Sequence, residues 1–401
     1  MHLRRPIHAI EELVRFSYLK DHALADIYLS EAIKMFGVSL VSIFETIYLF
    51  LIFKNMGMAY PAAAVFAFFA VFFLAFALLS PLGALFSSRF GFSKAALLSS
   101  PFLFLFFVFL LLLPQSPWFL WFALLAITIR ATLFWPGFHL LFATATPAKQ
   151  RGQSLSGLVI IGTVASVAGP AIGGVIIAQF GYPVLFAIVL PFVLASALPF
   201  LLVRDSDHKF KHSPGEMYRR IKDLRDWRAT LAFAASGAED EANGRVWPLF
   251  LFLLAISFSS LGIIVSLGTA LGVLTTWIFG KLSDRFDRMW ILRFASAATS
   301  ASWLVRAGVR ATLPAAFANM VYGVSRASYN VPFLTTFYDR VARAQDPYAA
   351  IVFREIALNL GRAAFLGILA LVALTTQDFR ILLAVTAILP LAFPLLRYWR
   401  P

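Results

Sequence analysis

The 401-residue chain contains no cysteine, so disulfides, thiolate metal sites and cysteine nucleophiles are all excluded. Charge is scarce as well, with only 13% of residues Asp, Glu, Lys or Arg. The six histidines form no HExxH pair, and no GxxxxGK[ST] phosphate loop is present. Metal catalysis and nucleotide-driven work within this chain are therefore not expected, and neither is a cofactor. What the chain has instead is apolar surface: 60% hydrophobic residues, 43 phenylalanines and a mean hydropathy of +0.81. Folded in water, such a chain would expose far more contiguous apolar area than a monomer tolerates, whereas lipid accepts that area without cost. The lipid bilayer is thus its first partner. The net charge of +14 sits in short loops between apolar runs, not on one soluble face, which argues against nucleic acid.

Apolar runs of about twenty residues, the length that crosses about 30 Å of hydrocarbon, recur almost to the C-terminus. They predict twelve spans over 29–53, 60–85, 95–114, 117–144, 154–178, 183–203, 229–254, 259–281, 289–308, 312–338, 350–373 and 379–397. The fold class expected is an all-α membrane protein of two pseudo-symmetric six-helix bundles. No cleavable signal peptide is expected, because the first run follows Glu31 and Lys34 and lacks a small-residue cleavage pattern. Arg4, Arg5, Arg15, Arg89, Lys94, Lys149, Arg151, Lys281, Arg285, Arg288, Arg340, Arg343, Arg397 and Arg400 all fall on one side of that arrangement. Basic residues in short loops resist translocation, so this side and both termini are predicted to be cytoplasmic, in the cell or inner membrane.

The longest polar stretch, 204–228, carries eight basic and five acidic residues and falls at mid-chain. It divides residues 29–203 from 229–401, with 1–28 as an amphipathic N-terminal segment. Within it Ser213-Pro214-Gly215-Glu216 predicts an N-cap, a proline at the first helical position and a capping-box glutamate. A short surface helix should follow. The N-terminal segment, with Ile7, Ile10, Val14 and Tyr18 against Glu11 and Arg15, is likewise expected to lie at the membrane surface.

The two halves repeat. Arg130-Ala131-Thr132-Leu133-Phe134-Trp135-Pro136 matches Arg326-Ala327-Ser328-Tyr329-Asn330-Val331-Pro332 at an offset of 196, and the same offset sets Arg89-Phe90 on Arg285-Phe286. At an offset of 200, the run from Gly37 to Phe53 matches Gly237 to Leu253, which makes Glu45 and Arg245 equivalent. The segment from Gly280 through Asp284, Arg285 and Arg288 resembles the G-x-L-a-D-R-x-G-R loop signature of the major facilitator superfamily, departing only at Asp287, where the family has Gly. The first-half copy keeps Arg89 and Gly91, with Ala84 and Ser88 in place of the first Gly and the Asp. Residues 165–174, with Gly169, Pro170, Gly173 and Gly174, resemble the family's antiporter element g-x-x-x-G-P-x-x-G-G. The resemblance implies a transporter and not an enzyme, with the 280–288 loop as a conformational latch between halves. Apart from the family, the Gly/Pro cluster lets backbones approach closely and should bend its helix near Pro170. Plain packing and a part in coupling direction compete as its role. Asp284 could accept backbone N–H bonds at a helix end or pair with Arg326.

An ionisable side chain inside a span is costly and so is a functional candidate. In the first, fourth, seventh and tenth spans, which line the cavity of the resembled fold, these are Glu45, Arg130, His139, Glu239, Asp240, Glu241, Arg245 and Arg326, with Asn330 beside them. The eleventh adds Glu355, Asn359 and Arg362. Structural readings compete: Glu241 and Arg245, one turn apart, can neutralise each other, and Glu355, Asn359 and Arg362 share a face. Arg130 and Arg326 fit a symmetric structural role as well as substrate contact, and His139 is expected to be interfacial. The whole describes a monomeric secondary carrier of a small organic solute, a proton-coupled exporter working by alternating access. An anionic-metabolite carrier is the alternative within transport; a membrane sensor or scaffold without transport is the alternative outside it.

Overall fold

The computed structural model describes residues 22–145, 162–202, 213–222, 226–283, 287–376 and 378–399. Among them there are helices and no strands, as a bilayer demands of a chain that must satisfy its backbone hydrogen bonds within each segment. In chain order they are α1 His22–Ser39, α2 Ser42–Asn55, α3 Pro61–Phe90, α4 Phe92–Leu112, α5 Trp118–Ala145, α6 Gly169–Ala195, α7 Pro214–Lys222, α8 Trp227–Glu241, α9 Trp247–Leu253, α10 Phe258–Ser283, α11 Arg288–Ala307, α12 Thr312–Arg343, α13 Pro347–Val372 and α14 Phe379–Thr386.

Eight stretches among the described residues are long and apolar enough to cross a membrane. One of them, Gly162–Leu201, is 40 residues long and breaks at Gly181, whose φ of 79° only glycine adopts readily. The break coincides with the connection expected at 179–183. Three helical segments, α8 with α9, α11 and α12, are more polar than the eight.

The expected spans are modified in specific ways. The first is not one rod: α1 and α2 meet at a break at Leu40–Val41. The second and tenth run on to Phe90 and Arg343, beyond the expected 85 and 338. The seventh contains a π-helical turn, Ala242–Val246, between α8 and α9. After α14 the last span continues as a 3₁₀ helix, Leu389–Tyr398, where Pro390 and Pro394 lack the N–H that an α ladder would use. The helix is interrupted by a bend at Ala168, one residue before Gly169-Pro170, where a bend was expected.

Glycine at 173 and 174 explains how α6 reaches both halves. A Cβ on Gly173 would lie 1.9 Å from the Leu40 carbonyl oxygen, and one on Gly174 would lie 2.3 Å from that of Phe258 at the start of α10. Only glycine permits backbones so close. The halves also meet where α3 packs on α13. The linker helix α7 forms as its capping box predicts: Ser213 N–H donates to Glu216 Oε2 at 2.9 Å, and Glu216 N–H to Ser213 Oγ at 3.4 Å. Its Met217 is buried, and its Tyr218 hydroxyl donates to the Leu78 carbonyl of α3. The N-terminal segment 1–21 lies outside the described residues, as do Asp284 and Arg285.

Candidate functional site

A helix turns about 100° per residue, so three consecutive acids at the end of α8 face three directions. Glu239 points into the second half. Asp240 and Glu241 point toward α12 and α13, and the π turn that follows inserts an extra residue and carries Arg245 across to α2. Such turns concentrate at functional sites.

Arg245 is the link between halves. Its Nη1 lies 3.3 Å from Glu45 Oε2 and its Nε 3.4 Å from Glu241 Oε2, and Nη1 also reaches Thr46 Oγ1 at 3.4 Å. The guanidinium stands 3.8 Å from the centroid of Phe69 on α3. Arg362 of α13 continues the chain, with Nη2 at 3.1 Å from Asp240 Oδ2 and Nε at 3.5 Å from Glu241 Oε1. Arg326 of α12 completes it, 2.5 Å from Asp240 Oδ1. Three carboxylates and three guanidiniums thus form one neutral row across the molecule. Asp240 and Arg326 keep 27% and 35% of their side-chain surface accessible although Arg326 lies at the middle of α12, which marks a polar gap between helices. Asn359 accepts from Arg362 Nη1 at 3.2 Å and donates to the Glu355 carbonyl at 2.7 Å, whereas half-buried Asn330 has no partner among the described residues.

Glu239 belongs to a different cluster. Fully buried, it accepts from Trp303 Nε1 at 3.0 Å, Tyr322 at 2.6 Å and Tyr329 at 2.8 Å. Beside it Arg306, also fully buried, donates to Asn243 Oδ1 at 2.9 Å and Asn319 Oδ1 at 2.5 Å, with Tyr322 and Trp247 against its guanidinium face at 3.5 and 4.4 Å. Every polar group of Glu239 is satisfied, so it holds α8, α11 and α12 together. Sequence reading missed Arg306, Asn243 and Asn319. Arg306 stands two residues from the expected end of its span, where an arginine ordinarily reaches water.

At the basic end the structure differs from expectation at His139. His139 is not interfacial: its Nδ1 lies 2.8 Å from the Tyr338 hydroxyl of α12, and its Nε2 is 3.5 Å from Glu355 of α13. It bridges the halves together with Arg354, whose Nη1 donates to Glu355 Oε1 at 2.5 Å. Arg354 was not singled out from sequence. Arg326 has Asp240 as its partner, while Arg288 pairs with Asp339 at 2.8 Å, thirteen residues along α12 from Arg326, or about 20 Å at the helical rise; Asp284 lies outside the described residues. Asp287, the departure from the loop signature, caps α11 by accepting from the Met289 and Trp290 N–H groups at 2.7 and 3.0 Å. Of the rest of the signature, Gly91 joins α3 to α4 with φ 96°, Arg89 is exposed over the Phe90 ring, and Gly280 lies in the last turn of α10.

Arg130 and Arg326 are not equivalent in their surroundings. Where Arg326 has a carboxylate, Arg130 has rings, its Cζ 4.7 Å from the centroid of Phe134 and 5.5 Å from that of Trp135. Lys34 of α1 lies 3.9 Å from the same Phe134 centroid and is bonded to Glu31.

The arrangement is two helical halves joined by interior charge. No group of three or more metal-ligating His, Cys, Asp or Glu occurs among the described residues. The crystal structure of a variant of the nucleoside transporter NupG shares the fold, with a TM-score of 0.67, 14% sequence identity, and coverage of 94% of this chain and 100% of that one. No curated protein sequence matches this one. The family model of the Major Facilitator Superfamily matches residues 27–366. The chain is an integral, multi-pass membrane transporter, and it belongs to the major facilitator superfamily.

Proposed function

We propose that the protein is a twelve-span, proton-coupled exporter of a small organic solute, working by alternating access as a monomer with both termini cytoplasmic. The 40-residue stretch folded at Gly181 counts as two spans, and α8 with α9, α11 and α12 supply the three more polar ones. The observation that carries the reading is the row Glu45–Arg245–Glu241–Arg362–Asp240–Arg326, which joins the halves through ion pairs that a proton can break. Protonation of Glu45 removes the acceptor that the first half offers Arg245. Glu241 then holds Arg245 within the second half, and the halves are free to rock. Asp284 acts at the cytoplasmic loop as a latch, as the loop signature implies.

The test is proton flux in proteoliposomes loaded with a pH-sensitive dye. A panel of drugs, sugars, amino acids, organic anions and nucleosides is added, nucleosides because the similar structure is that of a nucleoside transporter. A transported solute should move protons with the native protein and fail to do so with Glu45→Gln. Solute flux without any proton movement would remove the coupling, and unchanged flux in well-expressed Asp284→Asn would remove the latch.

A further inference from the structure

Among the described residues, one interior arginine stands without a carboxylate partner. The charged clusters between the helices hold the cations Lys34, Arg130, Arg245, Arg306, Arg326, Arg354 and Arg362 beside the carboxylates Glu31, Glu45, Glu239, Asp240, Glu241 and Glu355. Arg245, Arg326, Arg354 and Arg362 each have a carboxylate within 4 Å, and Arg306 meets Glu239 through Tyr322. Arg130 has none. The one carboxylate near enough to act on it, Glu31, is bonded to Lys34.

The donors of Arg130 are also idle. None of its guanidinium nitrogens has a hydrogen-bond partner among the described residues, yet none is sealed from solvent, unlike Nε of Arg306, Arg354 and Arg362. Aromatic faces attract a guanidinium but neutralise neither its charge nor its N–H groups. A cation left so within a spanning helix is costly and marks a place where an anion arrives. The planar fork of arginine matches a carboxylate, which accepts two parallel hydrogen bonds from it. Half-buried Trp135, stacked on His139 at 5.5 Å between centroids, supplies an apolar wall for the body of such a molecule.

We propose that Arg130 is the docking point for the carboxylate of an organic acid, whose apolar part lies against Trp135. This rests on the reading of the chain as a carrier and specifies the class of its substrate.

Purified full-length protein in detergent would be tested by thermal shift and by titration with benzoate and hexanoate, against benzamide and hexanamide of the same shape. Expected is stabilisation by the acids and none by the amides, with the acids bound about ten- to hundredfold more weakly by Arg130→Gln, the loss of a charge-assisted pair. Sodium chloride at equal ionic strength separates an inorganic anion site from an organic one. Amides equal to the acids, chloride equal to the acids, or full affinity in Arg130→Gln would each overturn the proposal. Should that variant not fold, Arg130→Lys retains the charge without the fork and should bind the acids more weakly than the native protein; equal affinity overturns the bidentate contact. Counterflow of labelled benzoate in proteoliposomes keeps the two readings apart. Acid-selective binding lost in Arg130→Gln, without counterflow of any bound acid, would uphold the site and count against transport.

Discussion

Arg245 and Glu45, matched to each other by the repeat at an offset of 200, lie 3.3 Å apart across the two halves. An approximate two-fold axis brings equivalent inward positions face to face, and opposite charges there become partners. Arg245→Gln should lower stability by about 3–5 kcal/mol, the cost of stranding the buried Glu45, and Glu45→Gln by less, because Glu241 still holds Arg245. The double exchange Glu45→Arg with Arg245→Glu should recover part of that loss in thermal unfolding. Because Glu241 also holds Arg245, recovery will be incomplete. No recovery of stability or activity at all would refute the cross-half pair.

Glu239 accepts hydrogen bonds from three neutral donors. Glu239→Gln replaces one acceptor oxygen with an amide that itself donates, so at least one of Trp303, Tyr322 and Tyr329 loses its partner. A loss of about 1–3 kcal/mol is expected, and one of similar size for Tyr329→Phe, which leaves the buried Oε2 of Glu239 without its donor. If Glu239→Gln melts like the native protein, the cluster is not what ties α8 to α11 and α12.

The backbone approach at Gly173 predicts a contrast between two alanine substitutions. Gly173→Ala forces its Cβ onto the Leu40 carbonyl, whereas nothing lies within 4 Å of a Cβ on Gly367. The first should destabilise by about 1–3 kcal/mol through overpacking. Gly367→Ala should be neutral or stabilising by about 0.5–1 kcal/mol, since alanine orders a helix more readily. Comparison of the two melting temperatures in one detergent checks this.

Asp287 caps α11 from the position where the loop signature has glycine. Asp287→Ala should cost about 1 kcal/mol and Asp287→Gly only a few tenths, because a flexible residue tolerates the cap geometry. Equal melting of both variants would leave α11 without need of this cap.

The absence of cysteine makes topology directly measurable. With Ser213→Cys, an impermeant thiol reagent should label permeabilised but not intact cells, because basic loops stay on the cytoplasmic side. Labelling from outside would invert the orientation.

By itself the sequence determined the membrane class, the all-helical fold, the family and the capped linker helix, because each follows from local chemistry: apolar run length, motif spacing, and a serine three residues before a glutamate. The Glu45–Arg245 match was also legible, since internal repetition encodes symmetry. Partner choice among the other charges was decided only by tertiary structure. Glu239, Asp240 and Glu241 are neighbours in the chain, yet helical rotation sends one into a cage of Trp303, Tyr322 and Tyr329 and the others to arginines of α12, α13 and the π turn. Arg130 and Arg326 are aligned in the chain, yet one has rings around it and the other Asp240. Likewise His139 became a bridge through Tyr338 and Glu355, 199 and 216 residues away. A charge buried in lipid must find a partner, and which partner it finds depends on how helices distant in sequence are packed together.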